Sequence, residues 1–202
     1  MARYTGPRAR VNRRLGGVIF ENDGAVRAFD RKPNPPGMAP RPRKQSTYGE
    51  AMREKQKIKY YYGLGERQLR QLFHRAKRMD GNTGENMLLL CERRFDSVVR
   101  LSGLTKTRAQ ARQGVGHGHF LLNGKKHDVP STKIAVGDVI HVKRRKNVSE
   151  LYRNCQEMFS GEVASWLSVD SAQQEIVVTR LPMVEEITLP VDVGMVVELL
   201  SR

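Results

Sequence analysis

The chain is poor in cysteine, in aromatic residues and in negative charge. Its 202 residues hold two cysteines, one tryptophan and 6% aromatics, with 21 acidic residues against 36 Lys and Arg. Cys91 and Cys155 lie far apart and form no disulfide framework, which fits a reducing compartment. No apolar run reaches membrane-spanning length, and "MARYTGPRAR" lacks the apolar centre of a secretory signal. The expectation is a soluble, cytoplasmic protein without a membrane partner. An apolar content of 39% allows one modest core or two small ones.

What is abundant is positive charge, a net of +15, which favours polyanions and nucleic acid above others. It is unevenly spread. Residues 156–202 carry eight acids and two bases, a net of −6, leaving +21 on residues 1–155. Two kinds of partner are implied, a polyanion for the basic portion and protein for the acidic one. Residues 1–46 contain "RKPNPPGMAPRPRK" (Arg31 to Lys44) with five prolines, and read as an extended basic arm ordered by RNA.

Beyond residue 46 the pattern becomes helical. Thr47-x-x-Glu50 is a capping-box signal for a helix ending near Gly63. Leu69, Leu72, Phe73 and Ala76 make one apolar face of a second helix. A third spans Thr83 to Glu92 and buries Cys91. "RFDSVVRLSG" and "TKTRAQARQG" predict two short helices, the second placing Arg108 and Arg112 on one face. Phe120 to Leu122, the pair Asn123-Gly124 and "KKHDV" predict a hairpin, with "VIHVKRR" as the next strand. "SELYRNCQEMF" predicts a helix burying Cys155 against Leu151 and Phe159. "WLSVD" and "EIVVTRL" read as further strands. In the last helix Pro190 occupies the first turn, and Val193, Val196, Val197 and Leu200 form the apolar stripe.

The stretch "GVGHGHFLLNGKK" (Gly114 to Lys126) invites three chemical readings. As a phosphate loop it fails: Gly118 and Gly124 enclose five residues rather than four, and Lys126 stands where the hydroxyl belongs. As a zinc site it lacks the required four or so nitrogen and sulfur ligands around His117 and His119. As a turn it works. Gly116 and Gly118 reverse the chain and bring His117 beside Arg108 and Arg112, with Asn123, Gly124 and Lys125 at the hairpin tip, a converging set of donors and cations for RNA phosphate. No cofactor and no metal are expected.

"RFDSVVRLSGLTKTRAQARQGVGHGHFLLNGKKHDVPS" resembles the S-four RNA-binding domain. "MARYTGP", "RRLG", "YGEAMREKQKIKYYYGLGERQ", "GNTGENMLLL" and "VVELLSR" extend the likeness along the chain to the S-four ribosomal protein family. The resemblance implies an α+β fold. A helical domain at 47–93, completed by a C-terminal helix at 190–202, is interrupted by an S-four RNA-binding domain and following strands at 94–189, after an extended basic arm at 1–46. It implies a structural constituent of the small ribosomal subunit, not an enzyme. Such a protein binds the 5′ domain of small-subunit rRNA, nucleates assembly of the subunit body, meets incoming mRNA and affects accuracy with small-subunit protein S-five. Its RNA contacts would extend to Arg3, Tyr4, Arg13, Arg14, Lys55, Lys57, Arg67, Arg94 and His119, with Arg41, Arg43 and Lys44 toward mRNA. Glu185 and Glu186, after the Pro182 turn, would form the protein contact. An enzyme using the same RNA grip needs a separate catalytic domain and a nucleophile with its base, and neither is visible. Gly114 and Gly116 depart from the bulkier residues usual there, which would loosen the turn.

Overall fold

The computed structural model describes residues 4–38, 46–159, 161–187 and 189–201. The chain divides into two units. The first joins Met1–Met87 to Thr188–Arg202, and the second is the insertion Leu88–Ile187. The fold class is α+β, a helical unit interrupted by a unit of helices and a small antiparallel sheet.

In the first unit α1 (Arg8–Leu15) and α2 (Asp23–Arg31) fold against each other, and α1 meets α3 (Thr47–Tyr61). The reading of residues 1–46 as an extended arm is therefore corrected for residues 8–31. The physical reason is a buried polar side chain. Asn12 is fully buried; its Oδ1 accepts from the amides of Ile19 (3.2 Å) and Phe20 (2.9 Å), and its Nδ2 donates to the Phe20 carbonyl at 3.1 Å. One side chain thus satisfies a whole turn. Tyr4 stacks on Phe20 (5.8 Å) and meets Tyr60 edge-on (5.1 Å), tying this segment to α3.

Helix α3 starts one residue earlier than the capping box implies: Ser46 is the cap, its hydroxyl accepting from the Gly49 amide at 3.2 Å. Helix α4 (Glu66–Ala76) buries Leu69, Phe73 and Ala76 on its predicted face. Helix α5 (Thr83–Glu92) has the predicted bounds and carries the chain from one unit to the other. Helix α9 (Val193–Ser201) runs along α3 and also meets α4. Gly84 leaves the space that Val193 and Val197 occupy. Asp192, not Pro190, begins this helix: its Oδ1 accepts from the Met195 amide at 3.2 Å.

The second unit packs α6 (Phe95–Leu101), α7 (Arg108–Gly116) and α8 (Lys146–Glu157) on a five-stranded antiparallel sheet. The strands are β1 (Phe120–Leu122), β2 (Lys125–Lys126), β3 (Val139–Val142), β4 (Leu167–Asp170) and β5 (Glu175–Val178), in spatial order β2-β1-β3-β5-β4. Phe95, Val99, Phe120, Ile140, Tyr152 and Ile176 are central to its core. Tyr152 and Cys155 are the residues α8 buries; Leu151, expected inside, is exposed.

Candidate nucleic-acid interface

Helix α7 begins at Thr107, whose hydroxyl accepts from the Gln110 amide at 3.2 Å. It ends in a Schellman closure. The Gly118 amide bonds the Val115 carbonyl at 2.8 Å and the His119 amide bonds the Gly114 carbonyl at 3.0 Å, with Gly118 at φ 67°. Gly118 alone takes the left-handed conformation here; Gly116 is the last residue of the helix. Gly114 does not loosen the turn. It is buried, and a Cβ placed there would run into Tyr152 Oη and meet Phe120 at 3.1 Å. The small residue on α7 is filled by the large one on α8.

At the hairpin tip Asn123 and Gly124 have φ 50° and 77°, both positive as a two-residue type I′ turn requires. Asn123 also locks the hairpin to the start of β3. Its Nδ2 donates to Asp138 Oδ1 at 2.8 Å and its Oδ1 accepts from the Val139 amide at 2.9 Å. Lys125 and Lys126 are exposed beside it. The Lys126 stem passes over Gly118, its Cε 2.5 Å from where a Cβ would stand.

The predicted arginine pair lies elsewhere. Arg108 and Arg112 do share a face of α7, but that face turns inward, with side chains only 11% and 13% exposed. Arg108 reaches Glu92 at 3.4 Å and Arg112 reaches Asp96 at 3.6 Å. Arg94, 4% exposed, grips the same Asp96 through Nε (2.9 Å) and NH2 (2.7 Å). Arg108 and Arg112, expected to line one RNA surface with His117 and Lys125, and Arg94, expected as a further RNA contact, are each engaged by an acidic side chain within the fold. His117, nine residues beyond Arg108, is half a helical turn out of phase with it. It is exposed and rests edge-on against His119 at 5.6 Å.

His119 is half-buried, and its Nδ1 shares a hydrogen bond with Tyr152 Oη at 3.0 Å. Burial first, then the charges of His117, Arg145 and Lys143, hold its pKa below the ordinary value of 6.5. The burial of Cys91 pushes its thiol up to about 12, so it behaves as an apolar core group. Among the described residues no group of three His, Cys, Asp or Glu is placed to hold a metal ion, and no helix is long and apolar enough to cross a membrane.

In the first unit several predicted contacts serve the fold. Lys55, buried, donates to Glu66 at 2.6 Å. Burial raises the Glu66 pKa, but Lys55 and Lys59 outweigh it and hold the carboxyl below its usual value. Lys57 pairs with Glu54 at 2.6 Å. Arg13 donates to the Asn34 and Pro35 carbonyls, while Arg14 donates to Tyr60 Oη at 3.3 Å and lies over its ring. Lys55, expected as an RNA contact, is thus engaged by Glu66 within the fold. Tyr4 and Arg67 stay exposed. Arg3, Arg41, Arg43 and Lys44 lie outside the described residues. Lys143, Arg144 and Arg145, expected in the strand "VIHVKRR", lie beyond the end of β3 at Val142, and Lys146 opens α8.

At the acidic end, Glu186 is held within the second unit. Arg180 donates to its Oε2 at 3.0 Å and its Oε1 at 2.5 Å, and Ser165 donates to Oε1 as well. The hydrogen bonds from Arg180 hold the carboxyl at about 2. Glu186, expected as a protein contact, is thus engaged by Arg180 and Ser165 within the fold. Glu185 is exposed beside the exposed apolar residues Leu181, Met183 and Val184.

Comparison with known proteins covers the whole chain. The family model for the ribosomal protein S4/S9 N-terminal domain matches residues 3–92, and the S4 domain model matches residues 93–140. Small ribosomal subunit protein uS4 of Rhodopirellula baltica is 54% identical over 100% of both chains. That of Corynebacterium aurimucosum is 44% identical over 100% of both. That of Treponema pallidum is 42% identical over 96% of this chain and 97% of its own. With an S4 domain inserted in a helical unit and identity running end to end, the chain belongs to the small ribosomal subunit protein uS4 family, a family of structural ribosomal proteins rather than enzymes.

Proposed function

We propose that this protein is a primary binder of small-subunit rRNA that engages the 5′ domain and nucleates assembly of the subunit body. The observation that carries the reading is the 54% identity, over the full length of both chains, to a small ribosomal subunit protein uS4. The net charge of +15 and the exposed hairpin tip at Asn123, Gly124 and Lys125 support it. In this reading the protein is cytoplasmic and resident on the ribosome. Arg41, Arg43 and Lys44 meet incoming mRNA electrostatically, without reading its sequence. The acidic end contacts small-subunit protein S-five through Glu185 and its apolar neighbours, and that contact influences accuracy.

Sedimentation in high salt tests the reading. The protein should travel with small subunits when exposed, screened contacts have been stripped away. A pool that leaves the particle entirely would instead indicate a loosely associated RNA-binding protein.

A further inference from the structure

The basic charge that sequence spacing assigned to Arg108 and Arg112 is already compensated inside the fold. The uncompensated charge of the second unit is concentrated at a different corner. Lys143, Arg144, Arg145 and Lys146 follow β3 and lead into α8; the last three are exposed and Lys143 is partly so. None of the four makes an ion pair among the described residues. This run is anchored to the glycine turn: the Lys143 amide donates to the His119 carbonyl at 2.8 Å, and the Arg145 amide to the Lys143 carbonyl at 2.7 Å. It therefore lies alongside His117 and His119, whose rings touch.

We propose that Lys143, Arg144, Arg145 and Lys146, with His117 and His119, form a phosphate-contacting corner for an RNA backbone. Four contiguous cations on exposed backbone, without a carboxylate to hold them, offer charge to successive phosphates and carry no base readout. Rigidity comes from the turn, because Gly118 fixes the helix end and Tyr152 holds His119 from the α8 side. The inference rests on the rRNA-binding reading and moves its electrostatic centre from α7 to the β3–α8 connection.

A second consequence concerns protons. The charged and titratable groups around His119 are His117 from the end of α7, Lys143 and Arg145 from the connection, and Tyr152 from α8. Burial first, and then three of these groups, disfavour the imidazolium in the free protein. A phosphate at the corner reverses that field, so RNA binding takes up a proton and affinity rises as pH falls.

The test measures binding of the full-length chain to a 5′-domain rRNA fragment across a salt series. The corner variant is K143Q/R144Q/R145Q/K146Q, and R70Q/R75Q/K77Q/R78Q on exposed positions of α4 and just beyond is the charge-matched control. The corner variant should lose affinity and flatten the slope of log K against log salt by about three, at roughly 0.7–0.9 per phosphate. The control should stay near the wild-type slope. Thermal melts of all three verify that each is folded. Wild-type slope and affinity in the folded corner variant, or an equal loss in the control, overturns the proposal. Between about pH 5 and 8, H117Q/H119Q should flatten the wild-type pH dependence; an unchanged profile overturns the histidines' part. Failure of the wild-type chain to bind the fragment at all refutes the rRNA reading itself, an outcome distinct from failure of the corner.

Discussion

Asp96 is the residue on which the interior charges of the second unit converge. Its carboxylate accepts two hydrogen bonds from Arg94, lies 3.6 Å from Arg112, and accepts from the Ser97 amide at 3.1 Å. Removing one partner of a buried ion pair leaves the other charge stranded, so Asp96→Asn should lower stability by about 3 kcal/mol. A denaturant titration reads this, and a loss below about 0.5 kcal/mol would mean the pair behaves as a surface bridge. Gly114 makes the complementary prediction through packing. Gly114→Ala should cost about 1–3 kcal/mol through overpacking against Tyr152 and Phe120. Tyr152→Phe removes the atom that crowds the new methyl, so the double variant should be more stable than the two single losses predict when added. Strict additivity in that cycle would contradict the contact. The i, i+4 spacing of Arg108 and Arg112 was legible in the sequence as a shared face. Which way that face points was not, because it depends on Glu92 and Asp96 arriving from other segments. Likewise Gly114 resembles a loosening substitution until Tyr152 is seen to fill it.

The elements written by short-range chemistry were the most legible. Leu69, Phe73 and Ala76 repeat with helical period and form the buried face of α4. Asn123-Gly124 specifies the β1–β2 turn with its positive φ values. Helices α1 and α2 escaped notice because proline and arginine density masked them. They are held by Asn12 and by the Tyr4–Phe20–Tyr60 cluster, which joins residues distant along the chain. The short helical turn Val184–Glu186 carries a pH prediction. The Glu186 carboxyl is held at about 2 by Arg180, below its ordinary 4.5. A carboxyl with a depressed folded pKa contributes its tie fully above the unfolded value and loses it as pH falls through the folded one. The Met183 and Glu186 amide resonances should therefore shift with a midpoint near pH 2, and Glu186→Gln should abolish that step. A midpoint near 4.5 in the native protein would show that Arg180 does not hold the carboxylate.

On the scale of the whole molecule, charge is separated along the chain. Residues 1–155 carry +21 and residues 156–202 carry −6, so the first portion attracts a polyanion and the second repels it. Exposed acidic contacts contribute only about 0.2–1 kcal/mol each. Glu185→Lys should then raise miscoding in a translation assay while leaving 5′-domain rRNA binding intact; unchanged fidelity would leave Glu185 a solvated acid with no partner. Specific recognition of small-subunit rRNA, rather than of any polyanion, is what distinguishes the proposed function. The most direct measurement is an equilibrium competition at physiological salt, with labelled 5′-domain rRNA fragment displaced by unlabelled fragment or by random-sequence RNA of equal length. The fragment should be preferred about a thousandfold, the lower range for specific nucleic-acid recognition. Equal displacement by both RNAs would contradict it.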